Sequence, residues 1–443
     1  MQGGLADGAL DRVAKRRHIH RTLSAPLPLA EISIGPFVID TSSARLRRDG
    51  AEIRLRPQAF QALEVLLRHA GRAVSYDQMI AEAWKGTHVS RHTVDVTVGE
   101  AKKTLGEYGH WITHRPKAGY RLEVPTSEEL VRKGWHFWNR RTREGAERAI
   151  ECFEHAAADC PTDARAFEGL STCYLMLATF GMQPPADVYP KFLETHEQAV
   201  ALGGLRPELR CNRAHGLHLF EQQLPEAEAE FAATIREKPS LGTAYVRAAL
   251  LYATLGRLDD AVGMLERGAE FDPLVPTLPA TAVQVRFWRR EFDLAIALGK
   301  KAVELHPYLQ IGRVNYAQAL EFSGRLDEAL AQYQLASVMS PDLPWLRAQE
   351  GTCLAKMGRA AEAREILDDL EHLRRSEYVD AYYAAVFRQA LGDTADAVAE
   401  LERAVDENSA FLYAMNVDPK MDAFRRAAVD LTAFCRRPTL TRR

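Results

Sequence analysis

An alanine recurs every 34 residues through the second half of this chain, at Ala227, Ala261, Ala295, Ala329, Ala363 and Ala397. A proline keeps the same step at Pro239, Pro273, Pro307 and Pro341, and a glycine does so at Gly256, Gly324, Gly358 and Gly392. A strict period of this length belongs to a helix–turn–helix unit stacked into a solenoid. The small alanine lets the second helix of each pair pack closely on the first. The glycine permits the turn between them, and the proline stops the second helix before the next unit begins. Such a stack is a long binding surface, not a catalytic pocket. What the protein acts on must therefore be read from the residues before it.

Composition sets the outer bounds. A chain of 443 residues is long enough for about three domains, and 47% apolar with 26% charged residues is ordinary for globular protein. No apolar run approaches the ~20 residues of a membrane span; the best candidate, Tyr245–Leu255, is interrupted by Arg247. Met1–Ala30 lacks the apolar core of a signal peptide. A cytoplasmic protein without membrane contact is expected. The six cysteines include no Cys-x-x-Cys pair, so they are expected to be small buried side chains, reduced in that compartment. Charge is unevenly placed: residues 1–30 and 31–126 each carry +3, which leaves −9 for residues 127–443 of a whole-chain −3. A mildly basic head on an acidic body suits a nucleic-acid contact at the head.

Residues 1–30, with three glycines, two prolines and the triplet Arg16-Arg17-His18, read as a flexible arm. Residues 31–126 change style. Ile32–Ile34 and Phe37–Ile39 read as strands, Asp49-Gly50 as a hairpin turn, and Ile53–Leu55 as the return strand. Pro57 then opens a helix with Phe60, Leu63, Leu66 and Leu67 on one face. Ser75 caps a second helix running to Trp84, and Ser90 caps a third running to about Leu105. Within the third, Thr93–Val98 alternates as a strand would. Val94, Val98, Ala101 and Leu105 also form one helical stripe, and that stripe covers the whole segment, so helix is the reading adopted. Trp111–Thr113, a turn at Pro116-Lys117 and Gly119–Leu122 close the region as a hairpin.

Repeats are expected over residues 127–409, in about eight units. The first shows Trp135, Ala149, Phe153, Ala156 and Pro161 in phase. The register then slips by ten between Pro161 and Pro239, and Gly181–Pro185 marks the expected insertion, a longer loop. Residues 410–443 are expected to cover the end of the stack with a helix around Met421–Phe434.

Two resemblances follow. Leu55–Phe60, Val74-Ser75, Ala83-Trp84, Ser90–Val96 and Gly119–Leu122 stand in the order and spacing of the OmpR/PhoB-type winged-helix DNA-binding domain, which residues 31–126 resemble over nearly their full length. The repeats are similar to tetratricopeptide (TPR) repeats. Together they resemble winged-helix–TPR transcriptional regulators of the HilA type, whose C-terminal end Val417–Asp422 also resembles. The implied fold is mainly α: an α+β winged helix-turn-helix followed by an α-helical TPR solenoid. Thirty preceding residues cannot hold the phosphoacceptor receiver most such proteins carry, and no span follows as in ToxR- and CadC-like ones. The input is therefore expected through the solenoid.

The resemblance implies that the third helix enters the major groove. With the apolar stripe inward, Thr93, Val96, Thr97, Glu100 and Lys103 face outward. Val96 suits a thymine methyl, and Glu100 can accept from cytosine N4. Arg91, Lys102 and Lys103 suit phosphates, which set affinity and register. Arg115 and Lys117 belong to the wing, which in the family reaches the minor groove or backbone. The loop Lys85-Gly86-Thr87-His88 is where the family can touch RNA polymerase. Gly99, Glu100 and Ala101 depart from the family, which favours basic residues at the first two and leucine at the third. That departure keeps a second reading open: an interaction scaffold whose winged helix no longer binds DNA.

No phosphate loop, nucleophile elbow or metal-ligand cluster is visible, so neither an enzyme nor a cofactor is expected. His88 and His92 lack a third ligand and read as surface residues. The repeat aromatics, such as Tyr245, Trp288 and Tyr333, read as core. Arg286, Arg289 and Arg290 cluster where one unit lacks its turn glycine and suit a carboxylate or acidic peptide. Expected partners are double-stranded DNA, RNA polymerase, a peptide or protein in the TPR groove, and a second copy of the chain.

Overall fold

The computed structural model describes residues 31–34, 37–41, 43–48, 51–140 and 142–435. The expected N-terminal arm and the Asp49-Gly50 turn lie outside the described residues. The chain divides into two compact units: residues 1–133 with 151–163, and residues 134–150 with 164–443.

In the first unit, β1 (Glu31–Ile34), β2 (Phe37–Asp40), β3 (Arg45–Arg48) and β4 (Ala51–Ile53) form an antiparallel meander in chain order. Strand alternation turns Phe37, Ile39 and Leu46 inward. They meet the buried stripe of α1 (Pro57–Arg68), formed by Phe60, Leu63, Leu66 and Leu67. Pro57 sits in the first turn, where no amide hydrogen is required. Next come β5 (Ala73–Val74), α2 (Tyr76–Ala83) and α3 (Arg91–Thr104). A 3-10 turn over Gly106–Trp111 leads to the hairpin of β6 (Ile112–Arg115) and β7 (Gly119–Leu122). The second sheet has the order β5-β7-β6, and its two-residue strand β5 was not expected. Gly119 explains the close pairing. It has φ +94°, and a Cβ there would collide with the Val74 carbonyl oxygen.

The second part is eight helix pairs among the described residues: α4 (Ser127–Trp138) with α5 (Arg143–Asp159), α6 (Ala164–Thr179) with α7 (Pro185–Gly203), and α8 (Pro207–Gly216) with α9 (Leu224–Glu237). Then follow α10 (Gly242–Thr254) with α11 (Leu258–Phe271), α12 (Thr277–Trp288) with α13 (Phe292–Leu305), and α14 (Gln310–Phe322) with α15 (Leu326–Met339). The last two are α16 (Pro344–Lys356) with α17 (Ala360–Leu373) and α18 (Ala381–Leu391) with α19 (Thr394–Asp406). The six periodic alanines all have 0% exposure, and each is the fourth residue of the second helix in its pair. The periodic glycines all have left-handed φ, and Gln222 and Arg290 take the same conformation where the phase lacks glycine. Apart from the Gln222 turn, where Gln223 N reaches six residues back to Leu217 O, each closes with an amide bonding to the fifth residue before it, as Arg257 N does to Tyr252 O at 2.8 Å.

The register slip has a different cause from the one expected. The connection between α6 and α7, residues 180–184, is longer than the three-residue turns of later units by only two residues. The other extra residues lengthen the helices: α7 has 19 residues against 14 in α9, α11, α13 and α15. A π turn over Leu217–Glu221 follows α8; an extra residue inside a helix is absorbed this way. It carries Glu221 inward, where Tyr189 donates to it at 2.6 Å and Arg213 grips both oxygens at 2.6 and 3.0 Å.

The helix stack returns on itself, so that its first two pairs meet the seventh near its other end. The Arg143 amide donates to Asp342 at 2.5 Å, the Arg143 guanidinium reaches Glu377 at 3.3 Å, and the Trp345 indole donates to the Phe180 carbonyl at 3.1 Å. The expected capping helix at Met421–Phe434 does not form. That stretch holds only the five-residue α20 (Asp422–Arg426) between 3-10 turns at Pro419–Met421 and Leu431–Cys435, with another at Ala410–Ala414. Ser409 and Asp418 accept from the amides of Phe411 and Lys420, which favours turns over helix, and Ala428 is left-handed. Leu412, Met415, Met421 and Phe424 are buried, so the segment packs through its apolar side chains without forming the expected helix.

Cys173, Cys211 and Cys353 are buried, and burial raises all three thiols, which keeps them inert. Among the described residues no helix is long and apolar enough to cross a membrane.

Candidate nucleic-acid interface

The site is built on α3. The Ser90 side chain accepts from the Thr93 amide at 3.2 Å, so the helix begins where a Ser N-cap places it. Val94, Val98, Ala101 and Leu105 have 0% exposure, which holds the opposite face outward. Val96 is 57% exposed at the centre of that face. A strand would have set Val94, Val96 and Val98 on one side; the separation of Val96 from the other two is the helical outcome.

Around Val96, Thr93 and Lys103 are exposed, and Thr97 and Glu100 are half-buried. The Thr97 hydroxyl donates back to the Thr93 carbonyl at 2.8 Å. Glu100 is within 3.4 Å of Arg56, whose side chain is 81% exposed. Lys102 lies about 100° round the helix from Lys103 and is half-buried on the flank. Arg91 opens the helix with its guanidinium 5.3 Å from the Tyr76 ring centroid. Gly99 faces open space. The outward face therefore carries cations, hydroxyls, the Glu100 carboxylate and one methyl-bearing apolar side chain.

Two residues missed in the sequence hold this arrangement. Asp95 accepts from Tyr76 at 2.6 Å and from Tyr120 at 2.7 Å, tying α3 to α2 and to the β6–β7 hairpin. The Tyr76 hydroxyl also lies 3.2 Å from His114 Nε2. The two hydroxyls hold the Asp95 carboxyl below its usual range; bonding to Asp95 raises Tyr76, and burial then Asp95 raise Tyr120. Arg56 is the second, an exposed cation at the foot of α1 placed beside α3 by its pairing with Glu100. Nothing local in the sequence marks either contact.

The wing tip carries Arg115 and Lys117, both exposed, with Lys117 at φ 67°. The turn closes by an Ala118 amide to Arg115 carbonyl bond of 3.0 Å. Glu123 lies 3.3 Å from Arg115 and 2.9 Å from Arg121, so Arg115 is steadied along the strand. The loop between α2 and α3 has two successive left-handed residues, Lys85 and Gly86. It exposes Lys85, Gly86, Thr87 and His88 while Trp84 packs on the core. His88 sits in this loop and His92 on α3, and among the described residues no group of three or more His, Cys, Asp or Glu is placed to hold a metal.

Residues 50–122 match the family model described as "Transcriptional regulatory protein, C terminal", and this region is a winged helix of the OmpR/PhoB type followed by a TPR-like solenoid. Over 111 residues the chain is 36% identical to the transcriptional regulatory protein CutR of Streptomyces coelicolor, covering 25% of this chain and 50% of that protein. Over 97 residues it is 31% identical to the phosphate regulon transcriptional regulatory protein PhoB of Pseudomonas aeruginosa, covering 21% and 42%. The chain thus spans about half the length of the curated relatives it matches. Among solved structures, a human IFIT1 dimer with PPP-AAAA aligns with TM-score 0.50 and 16% identity over 79% of this chain and 82% of that one, a likeness of fold alone.

Proposed function

We propose that the chain is a transcriptional regulator that reads promoter DNA with α3 and the β6–β7 wing and receives its input through the helical solenoid. The observation that carries this reading is α3 itself. Its apolar stripe is fully buried, and its outer face presents Thr93, Val96 and Lys103 with Arg91 at its start. That face is the part of a winged helix that enters a major groove. Thr93, Val96, Thr97 and Glu100 are the base-reading set. Arg91, Lys102, Lys103 and Arg56 take phosphates on either side, and Arg115 and Lys117 take the backbone beside the wing. The exposed loop Lys85–His88 is the surface offered to RNA polymerase. A peptide or protein partner acts on the solenoid, and pairing of two copies would match paired half-sites.

The test is the salt dependence of DNA binding by the full chain. Lys103→Ala should weaken binding to all sequences and flatten the log–log salt slope by about 0.9 for one lost phosphate contact. A full chain whose DNA binding is weak and independent of salt would instead support the scaffold reading, which the Glu100–Arg56 pairing favours by neutralising an exposed cation.

A further inference from the structure

We propose that residues 408–426 are a tethered ligand of the solenoid's inner face, and that an outside peptide segment reaches that face only by displacing them. The proposal rests on the reading of the solenoid as the input and says how the input arrives.

The segment makes the contacts of a bound peptide. Phe411 enters an aromatic slot, with ring centroids 4.7 Å from Tyr383 and 5.5 Å from Trp345. Tyr413 enters a second slot, 5.6 Å from His218 and 5.8 Å from Trp288. Asn416 donates to the Thr254 carbonyl at 2.8 Å. Asp418 accepts from Tyr382 at 3.0 Å. Lys420 lies 5.3 Å over the Phe287 ring. Asp422 is forked by Arg290 at 2.5 and 2.9 Å. The three arginines that suit a carboxylate thus all find one within the chain: Arg286 and Arg289 on Glu291, Arg290 on Asp422.

Apart from His218 in the π turn and Arg290 in the turn after α12, these partners lie on the first helix of their pairs: α10, α12, α16 and α18. They run from the third pair to the eighth, along the face a solenoid offers to ligands. The segment itself shares nothing with the repeats. It has no 34-residue phase and no helix longer than five residues, and it anchors through buried apolar side chains as well as the aromatic and carboxylate contacts above. The Arg290–Asp422 end is the weaker one, since those side chains are 49% and 26% exposed and therefore open to salt.

Tethering fixes the strength of the block. A linked ligand acts at an effective concentration of about 1 mM, so a free segment of equal intrinsic affinity at ~10 µM is outcompeted about 100-fold. A partner must carry the same pattern, two aromatics followed by two carboxylates, and hold it more tightly, or the Asp422 end must first be loosened.

The experiment titrates a fluorescent peptide of residues 408–426 into the chain ended at Glu407 and into the full chain. Saturable binding to the shortened chain is expected, weakened at least ~10-fold by Asp422→Lys in the peptide and recovered by Arg290→Glu in the chain, as loss and reversal of one charge-assisted fork require. The full chain should bind the peptide more weakly, by the ratio of the tether's effective concentration of about 1 mM to the Kd found with the shortened chain. A folded shortened chain that does not bind, or equal binding by both chains, overturns the proposal. If the shortened chain does not fold, hydrogen exchange on the full chain decides. Amides of residues 410–424 should open locally, faster than those of α10 to α16; exchange only by global unfolding overturns it. Neither readout involves DNA, so failure here leaves the reading of the winged helix standing, and loss of DNA binding leaves this one standing.

Discussion

Asp95 shows how one side chain can place an element without touching what the element reads. Its carboxylate is the shared acceptor for Tyr76 and Tyr120, and those bonds keep its proton off to lower pH than usual. A carboxyl with a lowered folded pKa adds stability that is complete above its unfolded value, near about pH 4, and is lost as pH falls through the folded value. Asp95→Asn should therefore be less stable than the natural chain at neutral pH. The difference should shrink as pH falls from about 4 through the lowered folded value in paired urea titrations; a difference constant between neutral and acid pH would contradict it. The sequence displays Asp95 between two valines and offers no sign of partners 19 and 25 residues away. Gly99 is the opposite case. A methyl group there meets nothing in the chain, so Gly99→Ala should stabilise α3 by about 0.5–1 kcal/mol. If DNA affinity drops in the stabilised variant, the glycine is admitting a close approach of DNA; if affinity is unchanged, it is only a weak spot in the helix.

At the scale of elements, whatever is periodic was legible and whatever is tertiary was not. The stripe Val94–Val98–Ala101–Leu105 decided between helix and strand because burial follows the longer consistent pattern. Repeat turns followed from glycine phase, even where Gln222 and Arg290 must adopt the glycine conformation. Strand β5 is two residues long and exists only through its pairing with β7, so no local pattern announces it. The sequence points to an insertion in a loop at Gly181–Pro185; a loop does join α6 to α7 there, but most of the extra length is helical, and no glycine or proline marks added helix. For the last segment a helix is expected only because the end of a stack needs covering, whereas Ser409 and Asp418 accept backbone amides and set turns in its place. Glu100 lies between these cases: its outward side was legible, its pairing with Arg56 was not. Glu100→Gln removes the charge and keeps the shape. Selection of binding sites by the two proteins should give different preference at one base pair, by about 1–3 kcal/mol if the carboxylate accepts from cytosine; identical logos would assign Glu100 to holding Arg56.

For the whole molecule, the division of labour is open to a direct comparison. A reporter driven by the natural promoters should respond to conditions with the full chain and lose that response with residues 1–126 alone. A ligand shifts an equilibrium only where it has different affinity for two states, and the solenoid is the part proposed to have them. Equal and equally conditional regulation by the fragment would remove the solenoid from the input.

The contact between the first two helix pairs and the seventh also bears on how this chain can change over generations. An open solenoid gains or loses a unit by in-frame duplication at little cost, because each unit meets only its neighbours. Here Arg143 must meet Asp342, and Phe180 must meet Trp345. A unit added or removed between them would carry the partners past each other. Copy number is therefore held by geometry, and the changes such a chain still admits are those within a unit.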